Sequence, residues 1–82
     1  MQEGKIYKLG TDSGFAIVKL KEILTYPASG MPDDYLFEYQ PGSIKPIIHP
    51  DAEALYGSED MFPIPSLLLP MIKQSYGLEE VV

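Results

Sequence analysis

A single histidine beside a run of acids is the strongest hint of chemistry in this chain. His49 precedes Asp51 and Glu53, and Glu59 and Asp60 follow. An imidazole with carboxylates can hold a divalent metal or act as an acid–base pair. A zinc protease needs two histidines one helical turn apart, and that spacing does not occur here. His49 therefore reads as a loop histidine among solvated acids. Serine chemistry fares no better. A hydroxyl nucleophile needs a base beside it and a third group to orient that base. Ser13, Ser29, Ser43, Ser58, Ser66 and Ser75 would share one histidine, and there is no G-x-S-x-G elbow. "GTDSG" (10–14) has glycines at its ends but lacks the lysine and spacing of a phosphate loop. It reads as a hairpin turn. The chain has no cysteine, which removes disulfides and thiolate zinc sites. The expectation is a protein that is not an enzyme, with no catalytic residue, metal or cofactor.

What remains is recognition, and charge constrains it. Six lysines and no arginine face twelve carboxylates, a net charge of −6. The imbalance is regional. Residues 1–25 carry four lysines against three acids, whereas residues 26–82 carry two lysines against nine. Phosphate neutralisation needs Lys and Arg, so nucleic acids and anionic membranes are disfavoured as partners. A basic protein is allowed. Spaced carboxylates such as Asp51, Glu53, Glu59 and Asp60 can imitate a phosphate array and steer association with a basic groove. The aromatic run Tyr35, Phe37 and Tyr39 could stack bases, but its neighbours Asp33, Asp34 and Glu38 deny it a positive groove. An inward core stripe is the better reading.

These residues must be positioned by a small scaffold. At 82 residues, 45% hydrophobic and 22% charged, the composition is that of one folded domain of modest stability. No apolar run approaches the ~20 residues that span a bilayer, and the N-terminal "MQEGKIYKLG" has no signal-peptide core. A cytoplasmic location is expected. "KIYKL" (5–9) is short and alternating. In "FAIVKLKEILTY" (15–26), Ala16, Val18 and Leu20 alternate with Ile17, Lys19 and Lys21, which predicts a strand paired to 5–9 across a five-residue turn. The alternation breaks at Glu22, which predicts a bulge before the strand runs on to Tyr26. The alternative is a helix over 13–25, since Ile17, Leu20, Ile23 and Leu24 also fit helical spacing. "PASGMPDD" (27–34) reads as a loop. "YLFEYQ" (35–40) is a clear strand, with Leu36, Glu38 and Gln40 on the face opposite the aromatics. "IKPIIHP" (44–50) is extended and irregular. "DAEALYG" (51–57) predicts a short helix with Asp51 as N-cap and Gly57 as terminator.

"MFPIPSLLLPM" (61–71) is the most distinctive stretch. If 61–65 is a strand, Pro63 and Pro65 remove two N–H groups from the same edge, while Phe62 and Ile64 face inward. That would blunt the last strand of a sheet. Ser66 is a candidate N-cap for "LLLPMIKQSY" and Gly77 its C-terminal stop, unless Pro70 splits the segment into a 3₁₀ turn and a helix. Leu67, Leu68 and Leu69 should then be buried, in the core or in a subunit interface.

The sum is a mainly β fold with a short C-terminal helix. It is a small, strongly bent antiparallel sheet or SH3-like barrel of four to five strands. The alternative is α+β with 13–25 helical. Residues 1–77 form the compact domain, and 78–82 are expected to fray. The expected function is a non-catalytic, acidic protein-interaction module for which self-association is allowed. The alternative is an acidic inhibitor or immunity-type protein that occupies a basic site on another protein. The candidate partner-binding residues are Asp51, Glu53, Glu59 and Asp60 with Leu67, Leu68 and Leu69.

Overall fold

A computed structural model describes residues 1–81. Its elements in chain order are strands β1 (Ile6–Thr11), β2 (Gly14–Tyr26) and β3 (Met31–Tyr39), helix α1 (Ala52–Tyr56), strand β4 (Met61–Pro65), a 3₁₀ turn (Ser66–Leu68), helix α2 (Leu69–Tyr76) and strand β5 (Glu79–Glu80). The five strands form one antiparallel sheet in the order β4-β3-β2-β1-β5. The fold is therefore mainly β with a short helix near the C-terminus, and residues 14–26 are strand rather than helix.

The β1–β2 hairpin is tighter than the five-residue turn expected. Thr11 pairs with Gly14, leaving only Asp12 and Ser13 in the turn. The Thr11 hydroxyl closes it, donating to Gly14 O at 3.0 Å and accepting from Ser13 N–H at 3.2 Å. This local bond lets the ladder run farther than the glycines suggest.

The break in alternation in β2 is a register shift between Leu20 and Glu22. It decides which side chains face the core. Ala16, Val18 and Leu20 are buried, and strict alternation would place Glu22 and then Leu24 inward. The extra residue, Lys21, flips the parity, so Ile23 packs on the core and Leu24 turns to the other face. On β3 the same inner face holds Tyr35, Phe37 and Tyr39, and on β4 Phe62 and Ile64. Phe37 stacks on Phe62 with centroids 5.7 Å apart, and Tyr7 meets Phe37 edge-on at 5.9 Å. The aromatic run is thus core, which excludes it as a stacking platform. Burying Phe37 completely makes it a pillar; its loss would cost about 3–5 kcal/mol.

Three boundaries depart from expectation. First, β3 begins at Met31, so half of the supposed loop is strand. Tyr26 pairs with Met31 and Leu24 with Asp34, and the Tyr26 hydroxyl donates to Asp34 Oδ2 at 2.9 Å. Second, Ser66 caps nothing. The segment splits as the alternative has it: a 3₁₀ turn occupies 66–68, and Pro70 sits in the first turn of α2, where its missing N–H is harmless. Third, residues 78–81 of the tail expected to fray are placed against the sheet. Leu78 is buried in the core, Glu79 and Glu80 pair with Lys8 and Tyr7, and Val81 N–H donates to Ile6 O at 2.8 Å. Gly77, in the left-handed conformation, ends α2 and turns the chain back toward β1. Val82 lies outside the described residues.

Candidate functional site

The acidic group centres on α1. His49 and Asp51 meet, but not as an acid–base pair: Asp51 N–H donates to His49 Nδ1 at 3.2 Å. The imidazole also lies edge-on to Tyr56 at 5.8 Å. These contacts fasten the entrance to α1. Ala52 N–H bonds to His49 O at 3.1 Å, so the backbone caps the helix and the Asp51 side chain does not. Asp51, Glu53 and Glu59 are exposed and make no ion pair among the described residues. Asp60 differs: it is bonded to Lys45, whose ammonium it holds above its usual pKa. Among the described residues, no three His, Asp or Glu side chains converge to hold a metal. The hydroxyls of Ser29, Ser43 and Ser58 are spent on backbone groups: Tyr26 O, Ile17 N–H and O, and Asp60 N–H.

The leucine run divides. Leu69 packs on the core with Ile72 and Tyr76, which are its i+3 and i+7 neighbours along α2. Leu67 and Leu68 do not; they are 76% and 45% exposed, and Met71 is 53% exposed. The chain's own core thus covers one of the three leucines expected to be buried. The 3₁₀ turn accounts for this, because it fixes which way each residue faces before α2 begins. Leu67, Leu68 and Met71 form an apolar ridge on the outside of the α2 segment.

Sequence reasoning missed a second apolar surface. The sheet is apolar on part of its outer face as well, where Leu36 is buried although it shares that face with Glu38 and Gln40. Helix α1 covers it. Ala52, Leu55 and Tyr56 share one helical face, and Leu24, Leu36 and Met61 supply the sheet side. Between them lies a groove of about 450 Å³, with Lys21 and Glu22 on its wall. The 52/55/56 spacing was the available signal. A larger depression, about 770 Å³, separates the β1–β2 turn from the end of α2. Its floor is the close approach of Gly10 to Tyr76 O, where a Cβ would sit at 3.2 Å. Asp12 is its one charged wall residue, so no set of groups converges there.

Within the loop between β3 and α1, Ile47 is held by a side chain of β3. The Tyr39 hydroxyl donates to Ile47 O at 2.8 Å and accepts from Ile47 N–H at 3.0 Å. Burial pushes this phenol up to about 12, against the lowering effect of the backbone bond.

No protein-family model, curated protein or solved structure matches this chain. No helix among the described residues is long and apolar enough to cross a membrane.

Proposed function

We propose that this chain is a small, acidic, non-catalytic interaction module of SH3-like barrel shape that self-associates through the ridge of Leu67, Leu68 and Met71. The observation that carries this reading is the 76% exposure of Leu67 beside two other exposed large apolar residues. A contiguous patch of this kind on a small domain marks a contact surface. Charge distribution supports a contact with a second copy. From Met61 to Leu78 the only charged residue is Lys73, in a chain of net charge −6. Two such segments can meet about a twofold axis without bringing carboxylates together. Sedimentation velocity over a concentration series tests this. Association should tighten little with salt and be lost in Leu67→Ser and Leu68→Ser. A wild-type chain that remains monomeric throughout, or serine variants that associate unchanged, would refute it.

The alternative reading, an inhibitor of a basic protein site, draws on the exposed Asp51, Glu53 and Glu59, which make no ion pair among the described residues. Asp60 contributes less, since Lys45 already neutralises it. Under this reading, affinity for a basic partner falls steeply as salt rises past about 0.15 M. Exchanging these acids for amides should then abolish binding that the Leu67→Ser change leaves intact.

A further inference from the structure

Methionine carries all the sulfur in this chain, because cysteine is absent. We infer that Met71 is an oxidative modification site: a hydroperoxide converts its thioether to the sulfoxide, and the sulfoxide stops two chains from pairing through the ridge. The inference rests on the self-association reading above and names the chemistry that controls it.

The four methionines differ in setting. Met61 is half-buried in β4, in the groove beneath α1. Met1 is the first residue of the chain. Met31 is 61% exposed, but it opens β3, where it pairs with Tyr26. Met71 is 53% exposed and shares the ridge with Leu67 and Leu68, four and three residues before it. It alone combines access to a dissolved oxidant with a place in the apolar contact surface. No thiol competes for that oxidant.

The step balances without a cofactor. The thioether sulfur attacks one oxygen of the hydroperoxide, so an S–O bond forms and the O–O bond breaks. The peroxide's proton passes to the leaving oxygen, which departs as water or an alcohol. Sulfur is oxidised as the peroxide is reduced. The product is polar where the ridge is apolar. In the separate chain, water solvates the new oxygen, and Gln74 and Ser75, which follow along α2, are exposed to the same water. In the pair, that oxygen meets leucine side chains that have no donor to offer it. Pairing also covers Met71. Only the separate chain therefore takes up oxygen, and the sulfoxide then holds it separate.

The test treats full-length wild type, Met71→Leu and Met31→Leu with hydrogen peroxide. Peptide mass spectrometry locates the sulfoxide, and sedimentation velocity measures association. Met71→Leu keeps an apolar side chain of similar volume, so before treatment it should pair like the wild type. Peroxide should weaken pairing of the wild type and of Met31→Leu by about tenfold or more, and leave Met71→Leu unchanged. Reductases for both sulfoxide epimers should restore the wild type. Separated by size, the treated wild type should carry Met71 sulfoxide in its single-chain fraction and not in its paired fraction. The inference is overturned if Met71 sulfoxide is as abundant in the paired fraction, or if Met71→Leu loses pairing on treatment as the wild type does. It is also overturned if Met71 stays unoxidised under conditions that oxidise Met31. An untreated wild type that is monomeric at every concentration is a different failure: it removes the ridge reading itself, and this inference with it.

Discussion

At the scale of single residues, polar atoms stand in for missing strands. β2 is longer than the strands beside it, and side chains join its backbone bonding where a neighbouring ladder ends. Ser43 answers Ile17 with both a donated and an accepted bond at 3.1 Å, and the Glu3 carboxylate accepts from Ile23 N–H at 2.9 Å. Tyr39 does the same for Ile47, inside the structure and at higher stakes. Removing its hydroxyl leaves a backbone donor and acceptor without that partner. Tyr39→Phe is expected to cost about 1–3 kcal/mol in urea unfolding. The pH dependence has a definite sign. The phenol is raised from 10.0 to about 12 in the folded state, so between those values the folded chain holds a proton that the unfolded chain has lost. Its contribution to stability is full below pH 10 and is lost as pH rises through 12. The measured quantity is the gap between wild type and Tyr39→Phe. That gap should narrow from pH 10 to 12. A gap that is constant or widens would show that Tyr39 is not protected. None of these roles was legible in the sequence, because a hydroxyl's partner 26 residues away leaves no local pattern.

At the scale of elements, legibility follows locality. The edge of β4 could be read because proline's missing N–H is a covalent fact. Tyr39 N–H donates to Asp60 O at 2.9 Å, which sets the parity of the β3–β4 ladder. Phe37/Phe62 and Tyr35/Ile64 are then the hydrogen-bonded pairs, and Pro63 and Pro65 face the free edge. The bulge in β2 was legible for a similar reason, as a fault in a period of two. The start of β3 was not: "MPDD" is turn chemistry by composition, and only its pairing with Leu24 and Tyr26 makes it strand. Of the candidate site, the exposure of the acids could be read, but the splitting of the leucine run and the groove beneath Leu55 depend on how helices sit on the sheet. Replacing Pro63 and Pro65 with valine restores two outward N–H groups and leaves "MFVIV", an uncharged β-prone edge. This variant should keep the wild-type melting temperature to within a few degrees, yet scatter light and bind a β-fibre dye on standing. A variant as soluble and dye-silent as the wild type would mean that the prolines do not guard this edge.

At the scale of the whole molecule, the sheet carries apolar residues on both faces, and two helices share the work of covering them. α2 seals the inner face with Leu69, Ile72 and Tyr76; α1 shields part of the outer face with Ala52, Leu55 and Tyr56. Neither cover is complete, and what each leaves open is a candidate contact surface. The chain can leave those surfaces bare only if closure of the inner core is secure, and that closure depends on its last residues. Leu78 enters the core between α2 and β1, Glu79 and Glu80 extend the ladder, and Lys8 grips Glu79 at 3.1 Å. The exposed ion pair adds little, whereas the buried leucine adds much. A domain of this size has a net stability of roughly 4–12 kcal/mol, against a cost of about 2–5 kcal/mol for emptying one leucine site. Ending the chain at Gly77 removes that leucine and the β5 ladder together. The shortened chain should lose its cooperative thermal transition or melt many degrees lower, and Leu78→Ala should fall between it and the wild type. Glu79→Gln, which removes only the ion pair, should melt within a degree or two of the wild type. If the chain ending at Gly77 melted like the full chain, residues 78–81 would be an ornament on a core already closed by α2.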